Sequence, residues 1–267
     1  MNKFSKEALI KKKNILSLLA LVTVLSLPNI AAAVPIGMTH LWEAEGNTID
    51  SIGGVTGSLT GDTSYATGIS GQAFSFDGAN DLFTAAVDLS PSSFAAVTFG
   101  AWVYLEAYDN SRGWVIGQDN GGYDRSISLH DDRYSSTDKK PAAGVGFTYG
   151  STLNDLTLSS WHFVAASYAG NGLSTTIYFD GDFQTIAGTS NSDGNSFFTV
   201  GGLGNYGNHE VDGFVDNIFI YDRALSVDEL NDLYSNGVTS VPEPGPLALL
   251  AIGLAGMGLI RRRQLAK

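Results

Sequence analysis

The chain has 267 residues, a formal net charge of −12 and no cysteine, which excludes a disulfide framework and any thiolate metal site. Thirty-two glycines and only 16% charged residues suit many short strands joined by tight turns. Between residues 34 and 240 six basic residues stand against twenty-five acidic ones, a net charge of −19, which argues against nucleic acid and anionic lipid as partners and leaves room for divalent cations and for neutral or cationic glycans.

The chain opens with Lys3, Lys6, Lys11, Lys12 and Lys13, then an apolar run over residues 15–27, then Ala31, Ala32 and Ala33. That order predicts a secretory signal peptide over residues 1–33. Residues 39–50 read as a first strand carrying Leu41 and Trp42 that runs into a polar turn with Glu45, Asn47 and Asp50. Over residues 71–78 Ala73, Ser75 and Asp77 alternate with Phe74 and Phe76 before the turn at Asp77-Gly78, the period of a strand. Residues 97–105 form the most hydrophobic strand of the interior, with Phe99, Ala101, Val103 and Leu105 on one face and Gly100, Trp102 and Tyr104 on the other. Further strands are predicted at 114–117, 126–129, 144–149, 160–168, 175–179 and 197–201, with 160–168 and 175–181 as a hairpin pair and Asp180-Gly181 as a hairpin turn. Residues 211–221 close the domain with Phe214, Ile218, Phe219, Ile220 and Tyr221. A short helix follows, with Ser226 as N-cap, Glu229 three residues on and Leu225, Leu230 and Leu233 as its apolar face, the pattern of a capping box.

At the end of the chain Pro242, Glu243 and Pro244 precede an apolar run over 247–260 and the cluster Arg261, Arg262 and Arg263. The run is short for a permanent span, which needs ~20 apolar residues. Basic residues behind it would stay cytoplasmic while the domain lies outside. This tripartite order resembles the PEP-CTERM sorting signal of Gram-negative bacteria. The resemblance implies recognition by a membrane-embedded exosortase, a transmembrane sorting helix within 241–267 and transient residence in the inner membrane before the cell surface or extracellular matrix. A plain C-terminal anchor is the other reading of the same run.

Three stretches together resemble laminin-G-like domains of the concanavalin A-like jelly-roll superfamily. They are Trp42 to Asp50 with Gly53, Gly54 and Gly57; Gly71 to Gly78; and the pair Trp161-His162 and Tyr178 to Gly181. The closing pattern from Asp212 and Gly213 through Tyr221, Arg223 and Ser226 to Glu229 and Leu230 belongs to the same likeness. The expected fold is therefore all-β, a jelly-roll β-sandwich of two antiparallel sheets over residues 34–240 with a short C-terminal helix.

Three chemistries are open to such a domain. Calcium takes oxygen ligands, and the resemblance implies a structural Ca2+ between first and last strands, with Glu45, Asp50 and Asp216 as the metal-binding candidates. Asp50 and Asp216 read equally as turn caps. The loop and strand over 118–134 carry Asp119, Asn120, Tyr123, Asp124, His130 and Asp131, amide, carboxylate and aromatic groups able to hold a sugar; a solvated Gly-rich hairpin is the competing reading. His162 beside Trp161 reads as structural, and four dispersed histidines without cysteine give no zinc set. Glycoside hydrolysis needs two carboxylates across a cleft, and the superfamily's glucanases place a further Glu after Glu-x-Asp on one strand. Here Glu210 and Asp212 begin that pattern, but Phe214 and Val215 stand where the further Glu would fall. The sequence therefore points to an exported, non-catalytic module that binds glycan or exopolysaccharide. The rivals are a glycoside hydrolase or polysaccharide lyase using carboxylates such as Asp119, Asp131 or Glu210, and a purely structural or adhesive surface protein.

Overall fold

The structure is a computed structural model that describes residues 36–107, 113–118, 124–129, 140–144, 154–187, 196–203 and 209–238. Among these, fourteen strands form two antiparallel sheets packed as a sandwich, and one helix closes the chain. The larger sheet is built on β6 (Val97–Leu105) and β14 (Asp212–Tyr221). β10 (Trp161–Tyr168), β11 (Thr175–Phe179) and β12 (Asp182–Ile186) continue it beyond β6, and β4 (Gln72–Asp77) and β3 (Ser64–Thr67) beyond β14. The second sheet runs in the order β2 (Ser58–Thr60), β5 (Leu82–Ala85), β13 (Phe198–Val200), β7 (Gly113–Gly117), β8 (Ser126–Leu129), β9 (Ala142–Gly144).

The alternation along β6 decides what lies between the sheets. Phe99, Ala101, Val103 and Leu105 enter the main core with Trp42, Phe74, Phe83, Tyr168, Phe198 and Ile220. Each large apolar side chain buried there contributes about 1.5–3 kcal/mol. The opposite face of the larger sheet is covered in part by α1 (Val227–Asn236), which lays Leu230 and Leu233 over Phe163, Tyr178, Phe219 and Tyr221. Ser226 accepts the Glu229 N–H while the Glu229 carboxylate takes the Ser226 N–H, a box that satisfies two donors left orphaned at the helix start. This cover explains why Ile218, Phe219, Ile220 and Tyr221 are all buried: β14 has protein on both faces.

β14 also forks. Its residues 212–215 pair with β4 and its residues 218–221 pair with β1 (Met38–Trp42), while β6 follows it on the other edge. At the fork the register against β6 shifts between Asp216 and Phe219, and Asn217 adopts φ +51, a left-handed conformation that Asn tolerates better than most residues. The first and last strands are thus neighbours, and the loops following β1 and preceding β4 meet where β14 changes partner.

The expected hairpin pair forms as β10 and β11, joined by residues 169–174, and the expected turn at Asp180-Gly181, with φ of +46 and +93, closes β11 onto β12. The short strands β2, β3 and β12 add to the sequence reading: none of their residues is buried, so no core-facing apolar row marks them. Among the described residues no helix is long and apolar enough to cross a membrane, and the apolar runs at 15–27 and 247–260 lie outside them.

Candidate functional site

The fork brings Asp216 and Glu45 together over the turn at residues 68–71. Asp216 is fully buried. Its Oδ2 accepts the Ile69 N–H at 3.0 Å and the Ser70 N–H at 3.3 Å, while its Oδ1 has no partner. Glu45, on the loop after β1, accepts the Gln72 N–H at 3.2 Å. Both approaches demand small residues in the turn. A Cβ on Gly68 would lie 2.5 Å from Asp216 Oδ2, and one on Gly71, at φ +64, would collide with the Glu45 carboxylate. Burial, reinforced by the negative charge of Glu45, pushes the Asp216 carboxyl up to about 7 against the pull of the Ser70, Asn217 and Ile69 N–H groups. An unpaired buried carboxylate costs several kcal/mol, so this site favours a proton or a cation.

Asp50 does not join them. Its Oδ1 accepts the N–H groups of Leu41, Ile52 and Gly53, each at 2.9 Å, and its Oδ2 meets His40 Nδ1 at 2.6 Å. Burial alone would raise its pKa, but the Leu41 N–H, the His40 ring and the two loop N–H groups outweigh it and hold Asp50 below the usual carboxylate range. Both oxygens are spent on β1 and the turn that follows it, the turn-capping alternative for this residue. Among the described residues no three His, Asp or Glu side chains are placed to share one metal ion.

His162 is bound in the same manner as His40. Asp180 takes the Phe163 N–H at 2.7 Å and His162 Nδ1 at 2.6 Å, and His162 Nε2 faces the Thr157 carbonyl at 2.9 Å. Burial opposes the imidazolium, yet Asp180 and the Thr157 carbonyl prevail and its pKa moves up.

Beside Asp216 the outer face of the larger sheet opens into a cleft of about 350 Å³, with Ser70, Trp102, Asn217, Tyr234, Ser235 and Asn236 among its lining residues. The rings of Trp102 and Tyr234 lie 5.8 Å apart at 30°. Asn217 is only 4% exposed, and its side-chain amide makes no hydrogen bond to any described residue although it lines the cleft. An aromatic wall with an unspent amide and several hydroxyl and amide groups is the combination that holds a polar ring-shaped ligand. The sequence marked Trp102 only as the outward face of a strand, and nothing in the sequence showed that Asn217 sits on a bulge. A smaller cleft of about 210 Å³ is lined by Glu43, Ala44, Glu45, Asn47, Ile49 and Ser51.

Of the expected ligand-binding loop, Asp119, Asn120, Tyr123, His130 and Asp131 lie outside the described residues. Asp124 is 3% exposed. Its neighbour Arg125 is fully buried, donates to the Leu89 and Phe94 carbonyls at 2.8 and 2.7 Å, and lies over the Tyr168 ring. This end of the segment is therefore part of the framework. Glu210 accepts the His209 N–H at 2.8 Å. Pro242, Glu243, Pro244, Arg261, Arg262 and Arg263 lie outside the described residues.

Residues 76–231 match the family model described as concanavalin A-like lectin/glucanases superfamily, the third laminin G family, and residues 240–264 match the PEP-CTERM protein-sorting motif. No curated protein matches the sequence. Among solved structures, the chain is similar to domain 4 of an extracellular arabinanase from Geobacillus stearothermophilus, solved in complex with arabinotriose. That likeness has 21% identity and a TM-score of 0.60, over 74% of this chain and 98% of that one. It also resembles Trypanosoma rangeli sialidase, at 17% identity and a TM-score of 0.58 over 76% of this chain and 33% of that one. The binding domain of botulinum neurotoxin serotype D follows at 12% identity and a TM-score of 0.57, over 74% and 51%. At these identities the likenesses establish the fold.

Proposed function

The chain belongs to the concanavalin A-like lectin/glucanase superfamily, and on that premise we propose that it is an exported, non-catalytic module that binds glycan at the cell surface or in the extracellular matrix. The observation that carries the reading is the cleft lined together by the Trp102 and Tyr234 rings and Asn217. The arabinotriose complex of the arabinanase domain, which this chain matches over nearly all of that domain's length, supports a sugar as its occupant. The sorting motif at 240–264 supports export through the inner membrane, with the run at 247–260 as a temporary anchor until an exosortase processes it. A matrix exopolysaccharide is the partner that such a destination offers.

Calcium is the cofactor of this reading. Glu45 and Asp216 would hold it, with backbone carbonyls and water supplying the other oxygens such an ion takes. The fit rests on the buried, unpartnered Asp216 Oδ1 beside a second carboxylate. When bound, the cation neutralises the pair and pins the turn at 68–71, whose Ile69 and Ser70 form one wall of the cleft. Asp50 serves the loop instead of the ion.

The test is a glycan array probed with purified protein, once with calcium and once with chelator. The expected result is binding that weakens with chelator and is lost in Trp102→Ala. Absence of binding in both buffers overturns the glycan reading, and hydrolysis of a bound polysaccharide overturns the non-catalytic part of it.

A further inference from the structure

On the outer face of the larger sheet one row of side chains crosses five neighbouring strands in register. Trp161 on β10 stands opposite Tyr104 on β6, Tyr104 opposite Phe214 on β14, Phe214 opposite Ser75 on β4, and Ser75 opposite Ser64 on β3. The period of two turns this row away from the core, because Val103, Leu105, Val215, Phe74 and Phe76 on the alternate positions enter it. At a strand spacing of about 4.8 Å the row is about 19 Å long. α1 packs over the neighbouring positions at Phe163 and Trp102 and leaves this row uncovered.

The row has two kinds of surface. At one end three half-buried rings touch, with centroids 5.6 Å apart for Tyr104 and Trp161, 5.4 Å for Tyr104 and Phe214, and 6.5 Å for Trp161 and Phe214. At the other end stand a half-buried Ser75 and an exposed Ser64. The Tyr104 hydroxyl, the Trp161 indole N–H and the two serine hydroxyls make no hydrogen bond to a described residue and are not sealed from solvent. A sugar is apolar on its C–H face and polar around its rim. Ring faces bury the first, and hydroxyl and N–H groups meet the second. The excess of acidic residues over positions 34–240 opposes a polyanionic chain, so rings and hydroxyls in one line suit an uncharged one.

Taking the glycan reading above as its basis, we infer that this row is a second subsite, which takes an extended stretch of an uncharged polysaccharide laid across the strands. Trp161, Tyr104 and Phe214 stack against successive sugars, and Ser75 and Ser64 hydrogen-bond the hydroxyls of those that follow. The cleft lies one step along β6, since Trp102 and Tyr104 share one face of that strand about 7 Å apart. The two subsites are therefore contiguous. The site reads several consecutive sugars of a chain, and a single terminal sugar would leave most of the row bare.

Chain length is the variable that isolates the row. The probes are neutral homo-oligosaccharides arrayed from disaccharide to octasaccharide, each sugar as its own series. For the series that binds, affinity should rise at least about tenfold from disaccharide to hexasaccharide. Trp161→Ala should flatten most of that rise while the disaccharide, held in the cleft, keeps its affinity. Ser75→Val, which suits a strand and leaves the rings in place, should remove only the part of the rise contributed by the longest members. Binding that does not depend on length overturns the inference and leaves the glycan reading standing. So does a rise that survives undiminished in folded Trp161→Ala and Ser75→Val. A dimer in solution that dissociates in Trp161→Ala would place a second copy of the chain on the row and overturn the inference as well. No binding at any length, together with an empty array of charged glycans, overturns both readings at once.

Discussion

Asp50, on the loop after β1, and Asp216, within β14, are both buried carboxylates, and they stand in opposite electrostatic states. Asp50 gathers three backbone N–H groups and a histidine ring and is held below the usual carboxylate range. Asp216 gathers two N–H groups on one oxygen, leaves the other bare, faces Glu45 and is pushed up to about 7. Burial alone therefore does not set the state of a carboxyl group: burial without enough partners raises it, and the missing partner is what a ligand can supply.

The comparison breaks most visibly at Asp50. Replacing it with Ala strands three N–H groups and His40, and the domain should lose stability by about 1–3 kcal/mol for each buried group left unsatisfied, read as a lower urea midpoint with an unchanged slope. Asp216→Asn should do the reverse. In chelator it should leave the midpoint unchanged or raise it, since it removes an unpaired charge, and it should abolish any stabilisation by calcium.

The His162–Asp180 pair sharpens the contrast by sign. Its histidine pKa is raised, so its contribution is complete below about pH 6.5, the free imidazole value, and is lost as pH rises through the raised folded value. The urea midpoint should fall over that interval and flatten in His162→Gln. The Asp50 contribution runs the other way, present above the free carboxylate value and lost as pH falls below it. A smaller effect belongs to the helix. Ser226→Ala removes one cap and should cost about 1 kcal/mol without changing ligand binding.

Much of this was legible in the sequence where a pattern is local. The alternation of Phe99, Ala101, Val103 and Leu105 gave the core face of β6, and Ser226 with Glu229 gave the helix start, because each depends on residues a few positions apart. The adjacency of the first and last strands followed from family likeness, not from spacing. What the sequence could not separate was Asp50 from Asp216. Each reads as an Asp at the first or the last strand, and their difference lies in partners up to 147 positions away. The bulge that turns Asn217 into the cleft was hidden for a similar reason: Ile218 and Phe219 keep both faces of β14 apolar, so the period of two gives no sign of the shift. Arg125 was equally opaque, since a lone arginine in a polar segment gives no hint of the Leu89 and Phe94 carbonyls that receive it.

The most direct test of the account is a calorimetric titration of calcium into metal-free protein and into two variants, Asp216→Asn and Asp50→Asn, each first shown to be folded. One equivalent of calcium should bind to the parent protein and to Asp50→Asn, and none to Asp216→Asn. Calcium binding that persists in Asp216→Asn, or that disappears in folded Asp50→Asn, would contradict the assignment of one carboxylate to the site and the other to the loop.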